Sequence, residues 1–122
     1  MVKNSQNFGK EGEELARKFL IKKGFKILAQ NWRFKKLEID IIAENEEFIV
    51  FFEVKSRSGD AFGEPELFVN KKKQNFIISA ANHYLQTKDI EKEARFDIIS
   101  VLQKNNTITV NQIERAFFPT VK

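Results

Sequence analysis

Three residues could do chemistry together: Asp40 in "LEIDIIAE", and Glu53 and Lys55 in "FIVFFEVKSR". Side chains alternate along a strand, so Ile49, Phe51, Glu53, Lys55 and Arg57 share one face, and Phe48, Val50, Phe52 and Val54 share the other. A carboxylate and an ammonium thus stand side by side where an apolar run ends. The two segments read as an antiparallel hairpin around an acidic turn, Glu44 to Glu47. With an even-numbered turn, Asp40 falls on the face of Glu53 and Lys55, with diagonal neighbours roughly 7–8 Å apart. Two carboxylates so placed could bracket Mg²⁺ or Mn²⁺, which take hard oxygen ligands and keep several waters, with the Val54 carbonyl as a further ligand. Lys55 could then orient a water or offset the charge of a phosphate.

The elements that must position these groups follow from periodicity. A first helix is expected from about Phe8 to Lys23, with Leu15, Ala16, Phe19 and Leu20 as its apolar stripe, extended backward by Phe8 and Gly12. Glu13 lies about 20° from Leu20 on the helical wheel, at the stripe margin, so it can face the strand ends. Gly24 is a natural stop. "FKILAQNWRF" is a first strand, and residues 58–69 a loop. Asn70 can cap a helix to about Gln86, with an apolar seam of Phe76, Ile77, Ala80, Ala81, Tyr84 and Leu85. "ARFDIISVLQ" is a strand, "KNNT" a turn and "ITVNQI" a short last strand. "ERAFFPTVK" stays unassigned. The order αβββαββ predicts an α/β fold, a mixed sheet with flanking helices, as one domain over residues 1–122.

Lys73 is expected on the sheet-facing side of the second helix, where an anion would be welcome. Arg57, Lys71, Lys72 and Lys73 form the candidate nucleic-acid contacts. Each signal has an ordinary explanation beside it. E-x-K is usually the polar face of an edge strand, a glutamate beside an apolar stripe is usually solvated, and "KKK" is usually a solvated helix start. His83 reads as a half-buried packing residue. Asp97 reads equally as a turn cap or a site neighbour. The conjunction of helix glutamate, strand aspartate, E-x-K and basic helix favours the functional reading.

The chain has 122 residues, net charge +4 and no cysteine, with a pI near 9.3. The charge leans toward a polyanionic partner. The absence of cysteine excludes disulfides and thiolate metal sites. No apolar run could span a bilayer and no signal segment is seen, so no membrane and a cytoplasmic location are expected.

At these residues the sequence resembles the YraN-like family of the PD-(D/E)XK nuclease superfamily. "GKEGEELARKFLIKKGFKILAQNWR", "EIDII", "FFEVKSRSGDAFGEP", "KKKQNFIISAANHYL", "RFDIISV" and "IERAF" carry the resemblance. It implies a restriction-endonuclease-like core similar to Holliday-junction resolvases. It also implies Asp40, Glu53 and Lys55 as the catalytic metal-site motif, Glu13 as the helix carboxylate, and Lys73 or Gln74 as the additional helix position. Gln74 joins the candidate nucleic-acid contacts only through this family resemblance. Ile39 stands where the superfamily motif is named for proline, and Leu37 where many relatives have glycine. The expectation is a Mg²⁺- or Mn²⁺-dependent endonuclease acting on nucleic acid, DNA in repair or recombination, and a branched substrate would favour a homodimer. The alternatives are a non-catalytic nucleic-acid-binding module and a protein-interaction subunit with a phenylalanine-rich interface.

Overall fold

The computed structural model describes residues 5–58 and 69–119, with side chains from residue 9 onward. Phe8's place in the apolar stripe and residues 59–68 of the expected loop lie outside this description. The observed order is α1 (Ser5–Lys22), β1 (Lys26–Phe34), β2 (Leu37–Glu44), β3 (Phe48–Ser58), α2 (Lys71–Lys88), β4 (Glu93–Lys104) and β5 (Thr107–Phe117). This is the expected αβββαββ arrangement. The strands form one sheet in the order β1-β2-β3-β4-β5. β3 and β4 are parallel and the other neighbours antiparallel. A parallel pair needs a long crossover, and α2 lies within it. The mixed sheet with a helix on each face is the restriction-endonuclease-like arrangement.

Each helix ends for a local reason. After α1, Gly24 adopts φ +101°, where a side chain would be strained. Its N–H donates to the Ile21 carbonyl at 3.0 Å, and that of Phe25 to the Leu20 carbonyl at 3.0 Å. This double closure returns Phe25 to the apolar face beside Leu20. α2 starts as expected at Asn70, whose Oδ1 accepts from the Lys73 N–H at 2.9 Å.

β3 is buried on both faces over its apolar run and splits the core in two. Phe48, Val50 and Phe52 pack with Ala16 and Leu20 of α1. Ile49 and Phe51 pack with Ile77, Ala80, Ala81 and Tyr84 of α2. Phe76 departs from the expected seam. It is 50 % exposed, one residue before buried Ile77 and so rolled about 100° away from the sheet. The last strand is also longer than expected. Arg115 takes a positive φ of 54°, and the β4–β5 register shifts between Phe96 and Ile98. This irregularity hides the continuation from a reading by alternation, yet Phe117 pairs with Phe96 and buries its ring.

Candidate metal and phosphodiesterase site

The β2–β3 hairpin sets the site. Asn45 Oδ1 accepts from the N–H groups of Glu47 and Phe48, at 2.9 and 2.7 Å, which closes the turn. The register then runs Glu44↔Ile49, Ala43↔Val50, Ile42↔Phe51 and Ile41↔Phe52. Continued by one step, it would set Asp40 opposite Glu53, but the ladder stops there. Instead, Asp40 Oδ2 accepts from the Val54 N–H at 2.7 Å. A side chain replaces a backbone rung, which holds one carboxylate oxygen and leaves Oδ1 without a hydrogen bond among the described residues.

Burial pushes the Asp40 carboxyl up to about 7, and the neighbouring Glu53 adds to the rise. The Val54 N–H opposes it, Glu13 adds a little, and the Lys73 ammonium opposes it again. The Glu53 side chain is 10 % exposed, and its Oε1 receives Lys73 Nζ at 2.8 Å. Lys73 thus reaches the sheet as expected, but it meets a carboxylate. The Asn70 cap and the Gln74 N–H bond to the Asn70 carbonyl, 2.9 Å, fix the helical turn from which it does so.

Glu13 comes from the opposite layer. Gly12 makes this approach feasible, since a Cβ there would meet Ser56 Oγ and come within 3.0 Å of Ser56 Cβ on β3. Burial raises the Glu13 carboxyl, and Glu38 raises it further. The Asn31 side chain opposes this through a hydrogen bond, and Glu53 adds a smaller rise. Glu38 and Asn31 are therefore neighbours that the motif reading missed. The sequence does carry a signal for Glu38, which stands two residues before Asp40 on the same strand.

Lys55 shares the strand face of Glu53 by alternation. It is half-buried and has no ion-pair partner among the described residues. Arg57 lies exposed two residues further on, and Lys71 and Lys72 are exposed at the start of α2. Gln74 is turned elsewhere, with its Nε2 donating to the Val69 carbonyl at 2.6 Å. It braces the approach to α2. Two other readings need correction. Asp97 is neither a turn cap nor a site neighbour. It is wholly buried on the α1 side of the sheet, held by Arg95, Gln112 and the Arg115 N–H. His83 is exposed rather than half-buried, and its ring lies 4.7 Å from that of Phe34.

Among the described residues no three His, Cys, Asp or Glu side chains are grouped closely enough to hold a metal ion. The fit of a divalent cation therefore rests on Asp40 and Glu53. These are two desolvated hard-oxygen donors whose mutual repulsion a cation would relieve. That donor set suits Mg²⁺, which needs only one or two carboxylates when it keeps waters.

The model of "Uncharacterised protein family UPF0102" matches residues 12–101, a span that includes Glu13, Asp40, Glu53, Lys55 and Lys73. The chain belongs to the UPF0102 family. This is the YraN-like family of the PD-(D/E)XK nuclease-like superfamily, as the motifs suggested. A UPF0102 protein of Flavobacterium psychrophilum is 44% identical over 112 residues, 92% of this chain and 94% of the relative. One from Thermodesulfovibrio yellowstonii is 46% identical over 110 residues, 90% and 95% of the two chains. One from Phocaeicola vulgatus is 41% identical over 114 residues, 93% and 94%. The UPF0102 match thus covers α1 from Gly12 onward, α2 and the first three strands, with β4 as far as Val101. No helix of the described residues is long and apolar enough to cross a membrane.

Proposed function

We propose that this UPF0102 protein is a Mg²⁺- or Mn²⁺-dependent nucleic-acid phosphodiesterase, acting on DNA in repair or recombination in the cytoplasm. The observation that carries the reading is the pair of desolvated carboxylates, Asp40 and Glu53, at the point where the β2–β3 ladder ends. When bound there, the cation would supply Lewis acidity toward a phosphate oxygen and favour a hydroxide nucleophile. The chain's own groups do the rest. The Val54 N–H fixes Asp40, Lys73 holds Glu53, and Glu13 adds negative field at the margin. Lys55, next along the face of Glu53, orients the attacking water or offsets charge building on the phosphate. Lys71, Lys72 and Arg57 hold backbone phosphates, which gives affinity without sequence choice.

A cleavage panel of linear, nicked, flapped and four-way DNA, plus RNA, with and without Mg²⁺ or Mn²⁺, tests the reading. Cleavage should require the metal and should vanish with Asp40→Asn. Lys55→Ala should lower the single-turnover rate by about 10²–10³ while binding persists. Lys71→Ala with Lys72→Ala should weaken binding and flatten its salt dependence. One observation favours a second reading, a non-catalytic binding module: Lys73 already neutralises Glu53 within the chain. Tight binding of nucleic acid with no metal-dependent cleavage anywhere in the panel would establish that reading instead.

A further inference from the structure

A groove outside the carboxylate site combines an exposed aromatic ring with a lysine rim. Phe34, Lys35, Lys36 and Leu37, at the β1–β2 turn, face Phe76 of α2 across a cavity of about 310 Å³. That volume is at the lower end for small-ligand pockets. A second hollow of about 290 Å³ lies between Phe76, Lys72, Asn75 and Ser79. Phe76 thus stands as a partition with open space on both sides. Among the described side chains it is the most exposed phenylalanine of the two helices. The wall opposite is stiff, because Phe34 stacks on Trp32 at 6.1 Å and meets His83 at 4.7 Å.

The charges identify the occupant. Lys35 Nζ lies 5.3 Å from the centroid of the Phe34 ring, in a turn where Lys35 takes φ 57°, unusual for a residue other than Gly, Asn or Asp. Lys36 and Lys72 are exposed at the rim, and among the described residues no acidic side chain lines either hollow. An apolar floor rimmed by lysines suits a flat aromatic group joined to anions. We infer that this groove binds an unpaired nucleotide of a single strand, its base stacked on Phe76 and its phosphates met by Lys35, Lys36 and Lys72. The inference rests on the nucleic-acid reading and narrows it. Lys72 is followed by Lys73, which touches Glu53, so a strand in the groove would lead to the carboxylates. The favoured substrate would then carry a flap or gap in place of continuous duplex.

The test is salt-titrated fluorescence anisotropy on the full chain, with labelled single-stranded oligonucleotide and with blunt duplex. Phe76→Ala should weaken single-strand binding roughly five- to 150-fold, the worth of one stacked base. Its salt slope, duplex affinity and melting temperature should stay as in the wild type. Phe76→Tyr should restore binding and Phe76→Leu should not, since the ring face matters beyond apolar area. Lys35→Ala with Lys36→Ala should instead lower the single-strand salt slope by about 1.4. Unchanged single-strand affinity in Phe76→Ala, with wild type still binding nucleic acid, would overturn the inference and leave the nucleic-acid reading intact. Failure of wild type to bind any oligonucleotide would remove both. Two further outcomes would also overturn the inference. One is a Phe76-dependent acidic, aromatic peptide complex with no oligonucleotide binding. The other is a Phe76-dependent dimer in light scattering.

Discussion

Asp97 and Asp40 are two aspartates on strands of one sheet, and they have opposite fates. Asp97 is fully buried and fully answered. It accepts from Arg95 Nε at 3.0 Å and Nη2 at 2.9 Å, from Gln112 Nε2 at 2.8 Å and from the Arg115 N–H at 3.1 Å. Arg95 in turn lies 4.8 Å from the Phe48 ring centroid. Asp40 has one backbone N–H, a second carboxylate beside it and the end of a strand ladder. A buried charge that its neighbours compensate serves the fold. One left in deficit lowers folding stability, and on the proposed function a cation from outside would relieve it.

The largest expected effect comes from breaking the compensated region. Asp97→Ala leaves the Arg95 guanidinium buried without its main partner, and such a loss typically costs about 3–5 kcal/mol. Urea denaturation reads it directly. A loss below about 1 kcal/mol would mean that Asp97 is not the hub it resembles.

The uncompensated region should behave with the opposite sign. The Asp40 carboxyl stands above its ordinary 3.8, so the folded chain holds that proton more tightly than the unfolded chain. In chelator, stability should therefore fall as pH rises from about 4 to about 7, then level off. A rise from 3.8 to about 7, at roughly 1.4 kcal/mol per pH unit, caps the effect near 4 kcal/mol. Asp40→Asn should flatten the profile and be more stable than wild type at pH 8, while losing Mg²⁺ binding in calorimetry. A variant with the wild-type pH slope would show that the deficit lies elsewhere.

The smallest effect sharpens the comparison at Lys73, which partly compensates Glu53 as Arg95 compensates Asp97. Lys73 is 39 % exposed, so solvent screening leaves the pair worth at most about 1 kcal/mol. Lys73→Met should therefore change stability little. Because the ammonium competes with a cation for Glu53, it should also raise Mg²⁺ affinity by about five-fold. Weaker Mg²⁺ binding would show instead that Lys73 helps to hold the site in shape.

Local patterns made much of this legible. Alternation in "FIVFFEVKSR" put Glu53 and Lys55 on one face, and hairpin parity brought Asp40 to Glu53. The 3.6-residue period set Glu13 at the stripe margin, and Asn70 and Gly24 marked a helix start and a helix end. These depend on neighbours within a few residues or across one short turn, which the chain's own geometry fixes. Tertiary structure alone decided that Lys73 meets a carboxylate, that Gln74 braces Val69, and that Asp97 belongs to Arg95 and Gln112. It also decided that Phe76 stands free between two hollows and that β5 continues past the irregularity at Arg115. Each of these depends on which distant element arrives beside a residue and how much water it displaces. A charge or a ring is spelled the same way in the sequence whether it ends up compensated, desolvated or exposed.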